Sequence, residues 1–110
     1  MKETKPFNVK TYGKEYKIVL TLSTYEFNGA TALIAYNCNE KGKKTDLHAV
    51  ISVNINGYRI DKDEIIADTN NCEKLVDELM KNNILTETGE TVISGFCTYP
   101  IMKINMDSFN

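Results

Sequence analysis

His48, Cys97 and Asp68 are the residue types from which a thiol nucleophile, its base and an orienting carboxylate are built, provided a fold brings them together. The local sequence gives no such instruction. Cys97 lies in Ser94-Gly95-Phe96-Cys97-Thr98-Tyr99-Pro100, which matches no nucleophile turn, and a lone strand histidine is usually hydrogen-bonded or at the surface. Asp61, Asp63 and Glu64 have the start of a cation loop, but Ile65 and Ile66 fall where an oxygen ligand and a glycine are required. A solvated charge run is the simpler reading. Gly-rich phosphate loops and a Gly-x-Ser-x-Gly turn are both absent. The expectation is a non-enzymatic protein with no metal and no cofactor.

Binding chemistry has three candidate locations. Asp68, Asn70 and Asn71 stand at a predicted helix start, where free N–H groups and the helix dipole favour an anion or a carboxylate. Phe96, Thr98 and Tyr99 on the last extended segment are expected to meet them there. The competing reading is that the polar residues cap the helix and the two aromatics pack. A small-ligand or thiol site at Asp68, Asn70 and Cys97 is a further alternative. Lys10, Lys14 and Lys17 interleave with Tyr12 and Tyr16, the composition of a single-strand nucleic-acid platform, although tyrosine also fills half-buried sheet positions. Asp61, Asp63, Glu64, Asp77 and Glu78 form a candidate acidic partner face able to mimic phosphates toward a basic protein.

These side chains need elements to position them. From Asp68 to Ile84 the pattern is one amphipathic helix: Cys72, Leu75, Val76 and Leu79 recur at i, i+3, i+4 and i+7, with Glu73, Lys74, Asp77, Glu78 and Lys81 opposite. Asn70 and Glu73 have capping-box spacing, which predicts Asn70 as the cap. Asn82 and Asn83 suit a left-handed C-terminal end, with Ile84 and Leu85 folding back. Upstream, alternation predicts strands on either side of a Tyr12-Gly13-Lys14 turn, and Asn28-Gly29 predicts a tight hairpin. Ala30–Cys38, apolar on both faces, reads as a central strand. Leu47, Ala49, Ile51, Val53 and Ile55 alternate as one inward face, on which the helix should pack. Tyr58-Arg59-Ile60 is a candidate short return after Asn56-Gly57. Downstream, Thr86–Glu90 reads as a loop. Val92–Met106 reads as a last strand with Gly95 at a bulge and Pro100 demanding an edge or a bulge, returning beside an early strand. The predicted architecture is α+β: a curled antiparallel sheet of four to six strands with one helix on one face, in the order ββββ(β)αβ.

The chain is 110 residues long and 42% hydrophobic, which fits a single domain spanning 1–110. Its net charge of −2 argues against a basic nucleic-acid coat. Residues 1–44 carry eight lysines and four glutamates, whereas residues 45–110 carry five basic and eleven acidic groups. Cys38, Cys72 and Cys97 are odd in number and widely spaced, as expected of reduced thiols in a cytoplasm. Neither an apolar leader core nor a membrane-length apolar run is present, so no membrane partner is expected.

Val53-Asn54, Asp68-Thr69-Asn70-Asn71, Thr88-Gly89 and above all Ser94-Gly95-Phe96-Cys97-Thr98-Tyr99-Pro100 give the chain a family likeness. It resembles a domain-of-unknown-function family, of the 4313 type, from phages, plasmids and conjugative elements of Gram-positive bacteria. The resemblance covers the C-terminal half well and the first hairpins in outline. Ile55–Ile60 and Cys72 depart from the family pattern. It implies a setting rather than an activity: a mobile-element accessory protein. With no catalytic constellation, the expected function is binding of a host protein or nucleoprotein, for instance to inhibit a nuclease-based defence. Single-stranded nucleic-acid binding by the Lys10, Lys14 and Lys17 hairpin is the alternative.

Overall fold

Alternation places the first hairpin where it was expected. In the computed structural model, which describes residues 2–110, β2 (Phe7–Thr11) pairs antiparallel with β3 (Lys14–Thr24), Val9 opposite Tyr16 and Thr11 opposite Lys14. Tyr12 (φ 52°) and Gly13 (φ 77°) form the two-residue turn. Positive φ at both positions is the type I′ geometry, whose twist matches that of the flanking strands. A two-residue β1 (Lys2–Glu3) follows β2 along the same edge of β3. Ile18 to Leu22 are all buried, because β3 is covered on both faces.

β4 (Thr31–Cys38) fills the other edge of β3, as its two apolar faces predict, and β5 (Lys44–Val50) closes a five-stranded sheet in the order β1-β3-β4-β5, with β2 also on β3. The Asn28-Gly29 connection is longer than the predicted tight hairpin. Six residues separate the strands, with Asn28 Oδ1 accepting from Ala30 N and Asn28 Nδ2 donating to Asn54. β5 also corrects the expected Leu47–Ile55 strand. Two register shifts against β4, one falling at His48, break its alternation. An extra residue reverses which face the following side chains occupy. Leu47 is therefore 54% exposed, whereas Ile51 beyond the strand is fully buried.

The second half forms a separate sheet, so the expected single curled sheet is in fact two. β6 (Glu64–Ile66), β7 (Leu85–Ser94) and β8 (Cys97–Ile104) are antiparallel in the order β6-β8-β7. Thr86–Glu90, expected as a loop, lies inside β7. The bulge is at Glu87–Thr91 around Gly89 (φ 86°), and Gly95 (φ 61°) makes the β7–β8 turn instead. β8 does not return beside an early strand; it is the centre of its own sheet, and no strand forms at Tyr58–Ile60.

Residues 51–53 join the sheets. Ile51 N donates to Leu33 O and Val53 N to Ile66 O, while Asp68 N donates to Ile51 O, all at 2.7 to 2.9 Å. Ser52, buried at the seam, accepts from Leu33 N and pairs with the Tyr25 hydroxyl at 2.8 Å. Burying those polar groups is tolerable because they are satisfied.

Helix α1 (Thr69–Lys81) buries Leu75, Val76 and Leu79, the predicted stripe. It packs on β2 of the larger sheet and on β7 and β8 of the smaller; of the expected Leu47–Val53 face, Ile51 and Ala49 join the helix core, whereas Leu47 is exposed and Val53 belongs to the smaller cluster. These side chains share one core with Val9, Leu20, Leu33, Ile51, Ile65, Met102 and Phe109. A smaller cluster of Ile66, Val92 and Ile101 lies under the Val53–Ile60 segment. Asn83 takes the predicted left-handed conformation (φ 59°), and Ile84 and Leu85 are buried behind it. The architecture is α+β, mostly antiparallel sheet with one helix.

Candidate functional site

The corner between β6 and α1 collects the predicted polar residues, but one of them does the capping that spacing assigned to another. Asp68, not Asn70, is the N-cap: its Oδ1 accepts from Asn71 N at 3.2 Å and its Oδ2 from Asn71 Nδ2 at 3.0 Å. Asn70 is exposed one position into the helix. The capping-box spacing misleads because Asp68 is buried by its own N–H bond to Ile51 O, which sets the chain turning two residues early.

Pro100 belongs to the same corner. A proline in a central strand removes a ladder donor. Here Ala67 N donates to Pro100 O at 3.0 Å, and Ala67 O, the acceptor Pro100 cannot serve, takes Thr69 N at 2.9 Å. The missing donor thus lets the chain leave β6 and enter the helix, which is why Pro100 needs no edge position.

Cys97 and Tyr99 share one face of β8. A hydrogen bond with Cys97, then burial and the nearby Cys97 and Asp68, push the Tyr99 hydroxyl above the ordinary phenol range. Asp68 thus lies within electrostatic reach of Tyr99, whereas Asn70, Phe96 and Thr98, expected at the same corner, are exposed, and no side-chain hydrogen bond among the described residues joins them to it. His48 is elsewhere: its ring stacks on Tyr16 with centroids 4.7 Å apart, and it lines a cavity of about 120 Å³ with Tyr12, Asn71, Cys72 and Lys74. Burial holds His48 below the usual imidazole range, against the pull of Asp46. Burial, reinforced by Asp68, raises the Cys72 thiol, whose Sγ donates to Val50 O at 3.5 Å. Burial likewise raises Cys38. A protonated, hydrogen-bonded thiol is a poor nucleophile. No group of three His, Cys, Asp or Glu side chains among the described residues is arranged to hold a metal.

The predicted basic hairpin divides its lysines between two faces. Cross-strand register puts Lys10 opposite Glu15 and Lys17 opposite Asn8 on one side, and Lys14 with Thr11 on the other. Lys14 Nζ sits 5.3 Å over the Tyr16 ring. Three of the five acidic candidates are also separately engaged. Asp63 pairs with Lys103 at 3.3 Å, Glu64 accepts from Asp61 N at 2.9 Å, and Glu78 accepts from Lys10 N at 2.8 Å. That bond from Lys10, then the one from Lys81, keeps the Glu78 carboxyl below its usual range.

Phe96 corrects the expectation that it packs. It occupies the second position of the Gly95-Phe96 turn with 109% relative exposure. Ile93 is 65% exposed on the adjoining strand, and the Tyr58 hydroxyl donates to Ile93 O at 3.3 Å, which brings a third exposed apolar side chain, and a second ring, to this end of the sheet. Thr98 faces Ile93 across the ladder and is also exposed. Periodicity gives no sign of Tyr58, whose Asn56-Gly57 turn reads only as a return strand. The two-residue Gly95-Phe96 turn thus holds its phenylalanine side chain in solvent.

No helix is long and apolar enough to cross a membrane. No curated protein and no solved structure matches the chain. The family model for a domain of unknown function, DUF4313, matches residues 19–110, which takes in everything from the core of β3 through the seam, the helix corner and the Phe96 hairpin, and the chain belongs to that family.

Proposed function

We propose that this is a non-catalytic binding protein of a mobile element, acting in a bacterial cytoplasm on a host macromolecule, with a nuclease-based defence protein as the target class. The carrying observation is Phe96, fully exposed at the end of a paired hairpin with Ile93 and Tyr58 beside it. Solvent-facing aromatics on rigid supports are the residues that anchor protein interfaces. The sequence from residue 45 onward carries eleven acidic and five basic groups, so the fitting partner has an apolar pocket within a basic surface, as proteins that handle nucleic acid do.

The test is a comparison of three forms in host lysate and in a plasmid-interference assay: the unaltered protein, Phe96→Ser, and Tyr12→Ser, which removes an exposed aromatic at the opposite hairpin. A stoichiometric nucleic-acid-processing partner should be retained by the unaltered and Tyr12→Ser forms. Phe96→Ser should weaken it about 30-fold, as loss of an aromatic hot spot costs about 2 kcal/mol, and interference should return with it. Equal retention by Phe96→Ser, or no stoichiometric partner at all, overturns the proposal.

A further inference from the structure

The two lysines and the one arginine nearest the β3–β4 loop converge on adjoining clefts. The first, about 340 Å³, is lined by Lys2, Lys62, Ser23, Thr24, Leu22 and Met106, with Thr31 between them. The second, about 300 Å³, shares Lys62 and adds Arg59 and Tyr58 above Asn28–Ala30. Neither lining includes a carboxylate. That is unexpected for Arg59 and Lys62, which belong to the acidic part of the chain and, in the case of Lys62, to the run Asp61–Glu64.

Local bonds explain how the cations are left to themselves. Asp63 is turned to Lys103 and Glu64 to the Asp61 N–H. Glu3 beside Lys2 is drawn to Lys44 and accepts from the Thr21 hydroxyl. Thr31 Oγ1 donates to Lys62 O at 2.7 Å, fixing the main chain from which Lys62 reaches the first cleft. Among the described residues, none of Lys2, Arg59 and Lys62 has an ion-pair partner. Three like charges facing joined clefts repel one another unless an anion lies between them. Tyr58 supplies the remaining feature: its hydroxyl is tied to Ile93 O, and its ring is 45% exposed. A ring held at the edge of a cationic cleft is a stacking platform for a base.

We propose that these clefts bind nucleotide phosphates, with Lys2 and Lys62 on one phosphate, Arg59 on the next, and a base stacked on Tyr58. This places a nucleic-acid surface at the β3–β4 loop instead of on the Lys10, Lys14 and Lys17 hairpin; it shares Tyr58 with the Phe96 patch and makes no use of Phe96 itself. The chemistry is shared by a free mononucleotide and by a single strand, and the experiment separates them.

Amide chemical shifts of the full chain are followed against adenosine monophosphate and, separately, a short oligothymidylate over a range of salt. Shifts at Ser23, Thr24, Thr31 and Tyr58 are expected with both probes, stronger with the oligonucleotide. Each of Lys2→Gln, Arg59→Gln and Lys62→Gln should flatten the logarithmic salt slope by about 0.7, the value per neutralised phosphate of a single strand. Lys10→Gln with Lys17→Gln should leave it unchanged. Equal affinity for both probes supports a mononucleotide site. No shift at these residues, or a slope that responds only to the hairpin lysines, overturns the proposal.

Discussion

Asp68 and Asn70 show how a single residue sets a boundary. Asp68→Ala should lower stability by about 1 kcal/mol, the usual loss for an N-cap, because Asn71 N and Nδ2 lose their acceptor. Asn70→Ala should change stability by only a few tenths. Urea midpoints for the two variants decide between the observed cap and the one that spacing predicts. His48 gives a second residue-level expectation. Burial depresses its folded pKa, so the unfolded chain binds the proton more readily. Its contribution to stability is present above the unfolded value, about 6.5, and is lost as pH falls through the folded one. Urea titrations should show stability declining with falling pH below about 6.5, and His48→Gln should flatten that decline. These roles were hidden from the sequence, since capping depends on a distant acceptor, Ile51 O, and the His48 environment on a ring from another hairpin.

At the scale of elements, periodic segments were legible and irregular ones were not. The α1 stripe, the Tyr12-Gly13 hairpin and the doubly buried β4 follow from the alternation of apolar residues, which local physics enforces. Leu47 was misplaced because a bulge at His48 cancels the alternation that precedes it, and no residue type announces a bulge there. The first half of β7 is not legible because Thr86–Glu90 is polar on both faces, as an edge strand next to solvent can be. Of the candidate site, the polar Asp68–Asn71 run at the helix start was legible from the apolar stripe that follows it. The exposure of Phe96 was not, because Gly95 suits a bulge as well as a turn. Tyr12 allows a direct check of turn chemistry. A non-glycine residue at positive φ pays roughly 1 kcal/mol, and asparagine tolerates that region better. Tyr12→Asn should therefore raise the thermal midpoint by a few degrees, and a fall would mean that the exposed ring makes contacts outweighing the strain.

On the scale of the whole molecule, one core ties both sheets and the helix together. Leu79, fully buried within it, should cost about 2 to 5 kcal/mol on truncation to alanine. Unfolding of Leu79→Ala followed by tyrosine fluorescence and by far-ultraviolet circular dichroism should give coincident curves, because neither sheet has a separate interior large enough to persist alone. Two separated transitions would show that the 51–53 seam is a hinge between independent parts.

The displaced register of β5 has one more effect. An outermost ribbon that is long, level and greasy invites a neighbour to lie alongside it, and copies of the protein would then stack through this flank. Two irregular steps in six residues crumple the ribbon, so no straight strand can lie along its length. Leu47 and Val50 therefore stand in water on a flank that offers no even row of donors and acceptors to a second copy.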